Sequence, residues 1–330
     1  MAVKDQELTQ DYAIYNGDSC EVLPSIKADS IHLSIYSPPF AELYNYSSSD
    51  RDLSNCRDYD EFLTHYEFIV KEISRITMPG RCSVVHCMDL KMGCFRRDFP
   101  GDIIRLHEKH GLHFHSRNTV WKEPLRVAIR TRSKHLMHRQ IVKDSVECGS
   151  AGADYILTFR KSGDNPIPIS HPGGLTSYAG GLEVPLDLTA KYKNWDDPKT
   201  NKLSHWIWQH YASSVWMDIR TGRVMPYKAA RESEEEKHVC PLQLDVIERC
   251  LVLYSNPGET VLTPFMGVGS EVYCAVRLGR KGIGVELKPS YYRQAQRNVS
   301  NAKNDALGET EVMDFDVPTG EVADDEEEDA

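Results

Sequence analysis

The apolar and polar positions follow two rhythms near the ends of the chain and neither in its middle. From Tyr12 the text YAIYNGDSCEVLPSIKADSIHLSIYSPPF predicts a short strand, an Asn-Gly-Asp turn and a helix of about one and a half turns. A second strand, IHLSIY, then stops at two consecutive prolines. In DYDEFLTHYEFIVKEISRITMPGRCSVVHCMD, Phe62, Tyr66, Ile69, Ile73 and Ile76 recur at helical spacing. A long amphipathic helix is expected there, followed by a Pro-Gly turn and a strand. Past residue 235 the alternation resumes with helix CPLQLDVIERCLVLYS, turn NPGE, strand TVLTPF, loop MGVGS, helix EVYCAVRLG, strand KGIGVEL and helix SYYRQAQRNV. Strand, helix, strand is the α/β rhythm, and the two segments are expected to share one sheet.

Residues 115–235 break the pattern. GDNPIPISHPGGLTSYAGGLEVP is dense in Gly and Pro, and KYKNWDDPKTNKLSHWIWQHY is rich in Trp and Tyr, without a clean repeat. This reads as an insertion that handles the substrate. With 330 residues and 40% hydrophobic content, the chain can bury a core as one large domain, or as one domain with a sizeable insertion. The start, MAVKDQELTQDY, is polar, and no apolar run approaches the roughly 20 residues of a membrane helix, so a soluble, cytoplasmic protein is expected. Nine cysteines without a CxxC pair argue for reduced thiols, and Cys82, Cys87 and Cys94 with His86 match no common zinc spacing; no metal is expected.

The net charge of −10 is misleading. Residues 304–330 hold twelve acids and no Lys or Arg, which leaves residues 1–303 at +2. Such a tail reads as a disordered solubilising end or as a competitor for an anionic ligand. Between 115 and 143, eight Lys or Arg (Arg117, Lys122, Arg126, Arg130, Arg132, Lys134, Arg139 and Lys143) face one acid, Glu123. Phosphates need such a stripe, and the interleaved Trp121, His135 and His138 can contact bases or sugars.

Two short motifs carry the candidate chemistry. In TVLTPFMGVGSEVYCAVRLGRKGIGVELKP, Gly267 and Gly269 lie between a strand and a helix, and Glu286 ends the next strand 17 residues after Gly269. Glycines let a cofactor approach the backbone, and a strand-end carboxylate can accept both ribose hydroxyls. Ser37-Pro38-Pro39-Phe40 is a stiff acceptor turn with an aromatic ring, because proline lacks an N–H and holds the residue before it extended.

The two motifs together, SPPF after one strand and FMGVGS before an acid-ended strand, resemble the S-adenosylmethionine-dependent DNA amino-methyltransferases. The catalytic motif precedes the cofactor motif, as in the permuted, beta-class order. The resemblance covers most of 12–300 outside the insertion. It implies a Rossmann-like sheet with helices on both faces and an inserted target-recognition region. The division it implies is 1–114 catalytic half, 115–235 target recognition, 236–303 cofactor half and 304–330 acidic tail. It also implies S-adenosylmethionine as cofactor, double-stranded DNA as partner, with room for a homodimer, and a cofactor site of Asp18, Pro241, Leu242, Thr263, Phe265, Gly267, Gly269, Ser270 and Glu286. Ser37, Pro38, Pro39 and Phe40 would form the catalytic turn, and Lys122, Arg126, Arg130, Arg132, Lys134, His138 and Arg139 would contact DNA. Thr263 departs from the Asp that commonly precedes Pro-Phe in that family.

The chemistry fits the residues on its own terms. An exocyclic amine is a poor nucleophile, so a site needs acceptors for its two N–H groups beside an aligned methyl sulfonium. Ser37 and the Pro38 carbonyl are the candidate acceptors, and Phe40 the face on which a flipped base stacks. There is no Pro-Cys dipeptide or Glu-Asn-Val of the kind used to attack cytosine carbon. Adenine N6 and cytosine N4 both remain open as targets. An RNA methyltransferase or a catalytically silent nucleic-acid-binding protein is the alternative. An oxidoreductase would share the glycine loop but leave SPPF and the basic stripe unexplained.

Overall fold

The computed structural model describes residues 3–39, 53–92, 95–131, 134–189, 201–231 and 241–303. Eleven strands occur in this part of the chain: β1 Val3–Leu8, β2 Tyr12–Gly17, β3 Ile31–Tyr36, β4 Thr77–Cys87, β5 Leu90–Met92, β6 Phe95–Arg97, β7 Leu112–Val120, β8 Asp154–Lys161, β9 Val215–Trp216, β10 Thr260–Thr263 and β11 Lys281–Glu286. Nine form one sheet in the order β1-β2-β11-β10-β3-β4-β8-β7-β9, while β5 and β6 pair separately. The centre, β2-β11-β10-β3-β4, is parallel throughout, and β8 runs antiparallel to both its neighbours. The two α/β segments therefore interleave, since β10 pairs with β3 (Val261 opposite Leu33) and β11 pairs with β2.

Neighbouring strand residues point to opposite faces, and the core divides accordingly. Val84, Ile156 and Val261 join one apolar cluster, built with the helices Leu244–Tyr254, Ser270–Arg277 and Pro289–Ser300. Val85, Leu157 and Leu262 join the other, with the helices Tyr59–Ile76 and Phe99–Lys109. The Tyr59–Ile76 helix starts at Asp58, whose carboxylate accepts from Glu61 N. Its five periodic residues Phe62, Tyr66, Ile69, Ile73 and Ile76 are all buried. None of the described helices is long and apolar enough to cross a membrane.

One expectation needs correction. Pro79-Gly80 does not end an element. It lies within β4, where the register on β3 slips between Ile31 and Leu33, and Gly80 sits at φ 72°. A Cβ there would come within 2.7 Å of the Asp164–Asn165 backbone, so the pair forms a tight irregularity rather than a turn. The sheet continues into 115–235: β7 runs through residue 115, and β8 lies inside 115–235 and pairs with β4 along six residues. Much of the rest of that stretch docks on the helix Leu244–Tyr254. Arg220 and Arg223 bridge to the fully buried Asp245 at 2.7 Å each, and buried Arg249 reaches Asp218 at 2.6 Å.

Candidate active site

Parallel strands deliver their carboxyl ends to one edge of the sheet, and loops leaving that edge enclose what binds there. Here β2 ends before Asp18, β3 before Ser37, β10 before Pro264 and β11 at Glu286. All of these residues line a single cavity of about 240 Å³. Of the cofactor residues expected from the sequence, Asp18, Pro241, Leu242, Phe265, Gly267, Ser270 and Glu286 line it, together with Ser37, Pro38 and Pro39. Phe40 lies outside the described residues.

Glu286 is held from both sides. One oxygen accepts from Gly267 N and the other from Lys288 N, each at 2.8 Å. Asn16 Nδ2 donates to the Glu286 and Leu287 carbonyls, which fixes the segment before Asp18 against the end of β11. The two loop glycines do different work. Gly267, at φ 54°, has nothing among the described residues within 4 Å of where a Cβ would stand, so its backbone faces the cavity. Gly269, at φ 90°, would push a Cβ to within 3.0 Å of Val299, and its smallness serves helix packing. Thr263 is fully buried, its hydroxyl has no hydrogen-bond partner among the described residues, and it forms no part of the cavity wall.

Glu271, one residue beyond the expected loop set, also lines the cavity and is buried. Burial, with a smaller push from Glu286, raises its carboxyl to about 8.

At the Ser37-Pro38-Pro39 turn the geometry adds residues that sequence reasoning did not find. Ser37 Oγ lies 3.1 Å from His86 Nδ1. His86 Nε2 lies 3.1 Å from Asp154 Oδ2, close but not aligned as a hydrogen bond. Asp154 Oδ1 accepts from Lys122 Nζ at 2.5 Å. Burial alone would raise the Asp154 carboxyl, but Lys122 and His86 outweigh it and hold the group well below the usual carboxylate range. The sheet register brings these residues together: His86 on β4 faces Ile156, two residues from Asp154, and Asp154 faces Val120, two residues from Lys122. A two-residue step keeps the same face of a strand. The available signal was a charged or imidazole group at each end of otherwise apolar strand text, VVHC and DYILTF.

Lys122, expected among the DNA contacts, is thus drawn into a half-buried ion pair on the cavity wall. Arg126, His138 and Arg139 are exposed on or beside short helices at 124–131 and 138–143. The side chains of Arg130, Arg132 and Lys134 lie outside the described residues.

A parallel sheet with a glycine loop, a strand-end acid and a Ser-Pro-Pro turn around one cavity defines the class of Rossmann-like, S-adenosylmethionine-dependent methyltransferases. A family model described as DNA methylase, covering the N6 and N4 methyltransferases, matches residues 31–297, and the chain belongs to that family. It is 25% identical to the type II methyltransferase M.BglII of Bacillus subtilis over 84% of this chain and 66% of that protein. Among solved structures, TTHA0409 of Thermus thermophilus in complex with S-adenosyl-L-methionine is 22% identical, with a TM-score of 0.57 over 90% of this chain and 97% of that one. The cytosine-N4-specific PvuII DNA methyltransferase is 16% identical, also with a TM-score of 0.57, over 92% of this chain and 96% of its own. At these identities the two structures share the fold.

Proposed function

We propose that this chain transfers a methyl group from S-adenosylmethionine to the exocyclic amine of a base flipped out of double-stranded DNA, adenine N6 or cytosine N4. One observation carries the reading: a single cavity is lined both by the Ser37-Pro38-Pro39 turn and by Gly267 and Glu286 from the other half of the chain. The wall suits the cofactor, since Gly267 leaves backbone open to it and Glu286 is held rigid by two backbone donors. Glu286 would accept from the ribose hydroxyls, Asp18 would approach the adenine, and Pro241, Leu242, Phe265 and Ser270 would close around the methionine end. When bound, the cofactor supplies an electrophilic methyl group, whose bond to sulfur breaks as the amine lone pair forms the new N–C bond.

Ser37 Oγ and the Pro38 carbonyl accept the amine N–H groups and aim its lone pair, while Phe40 stacks the flipped base. Arg126, Arg130, Arg132, Lys134, His138 and Arg139 hold phosphates within a target-recognition region at 115–235. The reading places the protein with DNA in the cytoplasm. Its test is transfer of label from S-adenosylmethionine in three arms: duplex DNA, RNA and buffer. Label in duplex DNA alone is the expected result; label in RNA alone, or in none, would replace the reading.

A further inference from the structure

The chain Ser37–His86–Asp154–Lys122 does more than brace the cavity wall. We infer that it fixes Ser37 as a pure acceptor for the target amine and then takes up the proton which that amine must lose. The inference rests on the methyl-transfer reading above and assigns it three positioning residues, His86, Asp154 and Lys122.

A serine hydroxyl carries one donor and two acceptor sites and rotates to suit its neighbours. Left alone beside an amine, it can donate its proton toward the nitrogen, which engages the very lone pair that must attack. The neighbouring groups remove that freedom. Lys122 Nζ stands 2.5 Å from Asp154 Oδ1 and keeps that buried carboxyl ionised, so Asp154 can only accept. Its second oxygen, Oδ2, lies 3.1 Å from His86 Nε2 and selects the tautomer with the proton on Nε2. His86 Nδ1 is then a bare lone pair, 3.1 Å from Ser37 Oγ, and the Ser37 O–H points at it. Both serine lone pairs are left for the amine. The Nε2 to Asp154 approach is short but off-line, and contacts of this kind commonly tighten once substrate is in place.

The same atoms can move a proton. After methyl transfer the nitrogen is positively charged and carries one proton too many. That N–H bond breaks to Ser37 Oγ while the Ser37 O–H bond breaks to His86 Nδ1. The base ends neutral, the serine hydroxyl is restored, and the new imidazolium sits against the Asp154 carboxylate. The proton passes to solvent when the product leaves. No oxidant, metal or protein nucleophile enters the balance.

The first test needs no turnover. Nitrogen NMR of the His86 ring, assigned by loss of its signals in His86→Phe, should show Nε2 protonated and Nδ1 bare in the wild-type protein without ligands. Asp154→Asn should shift the proton toward Nδ1. The second test is single-turnover methyl transfer to duplex DNA. His86→Phe should slow it by about 10²-fold or more while the calorimetric affinity for S-adenosylmethionine stays at the wild-type value. His86→Asn, whose amide oxygen can stand near the Nδ1 position, should recover part of that rate. A wild-type ring protonated on Nδ1, or a folded His86→Phe that methylates at the wild-type rate, would overturn the inference. Failure of the wild-type protein to bind the cofactor or methylate DNA would instead sink the reading on which it rests, and the tautomer would still be measurable.

Discussion

Glu271 shows how one residue reports the character of the cavity. A carboxyl in water titrates near 4.5, and burial lifts this one to about 8. The folded chain therefore keeps a proton that the unfolded chain releases as pH rises through 4.5. Stability tied to that proton is fully present below about 4.5, declines up to about 8 and is gone above it. Glu271→Gln holds the neutral form at every pH. It is expected to raise the melting temperature by about 2 °C or more at pH 8 and by less at pH 5, read from thermal melts across pH. An equal gain at both values would mean the carboxyl is not protonated in the fold. Residue identities at the glycine loop were legible because their chemistry is local: a left-handed turn needs glycine, and a rigid acceptor turn needs proline. The roles of His86 and Asp154 were not, because their meaning depends on which strands lie side by side.

At the scale of elements, the parallel strands and their helices follow directly from the alternation of apolar positions, and β3, β10, β11 and the Tyr59–Ile76 helix lie where the pattern puts them. The stretch at 115–235 was harder to read for a physical reason. β8 pairs with β4 only after a long excursion, and it is buried on both faces, so its text is a near-continuous run rather than an alternation. The stretch's outer part is held by charge as well as by an apolar cluster of Leu175, Leu203, Ile207 and Tyr211 against Val252 and Leu253. Asp245 is fully buried and engages both Arg220 and Arg223. Asp245→Ala leaves Arg220 without its carboxylate and Arg223 with Glu248 alone, and should cost about 1–3 kcal/mol by chemical denaturation. Hydrogen exchange should quicken in the helix Lys202–Tyr211 and the segment around Asp218 before it quickens in β3 or β10. Uniform loss of protection would mean that the docked segment and the sheet unfold as one unit.

For the whole molecule, charge separates what the total conceals: residues 1–303 carry +2, while residues 304–330 carry twelve negative charges. Deleting 304–330 should leave the melting temperature unchanged and tighten binding to duplex DNA, most of all at low salt, because the negative segment no longer competes with phosphates. A truncated chain that fails to fold would make the tail structural. Two halves far apart in sequence meet at one sheet edge, and they do so through the pairing of β3 with β10. That meeting puts the Ser37-Pro38-Pro39 turn and the Gly267 loop on one cavity, as the proposed function requires. The decisive measurement is mass spectrometry of nucleosides from duplex DNA incubated with the protein and S-adenosylmethionine bearing a deuterated methyl group. The deuterated methyl is predicted on an exocyclic nitrogen, as N6-methyladenine or N4-methylcytosine, and to vanish with Ser37→Ala in a variant that still binds the cofactor. Label on cytosine C5, or on an exocyclic nitrogen at undiminished yield in Ser37→Ala, would contradict the account.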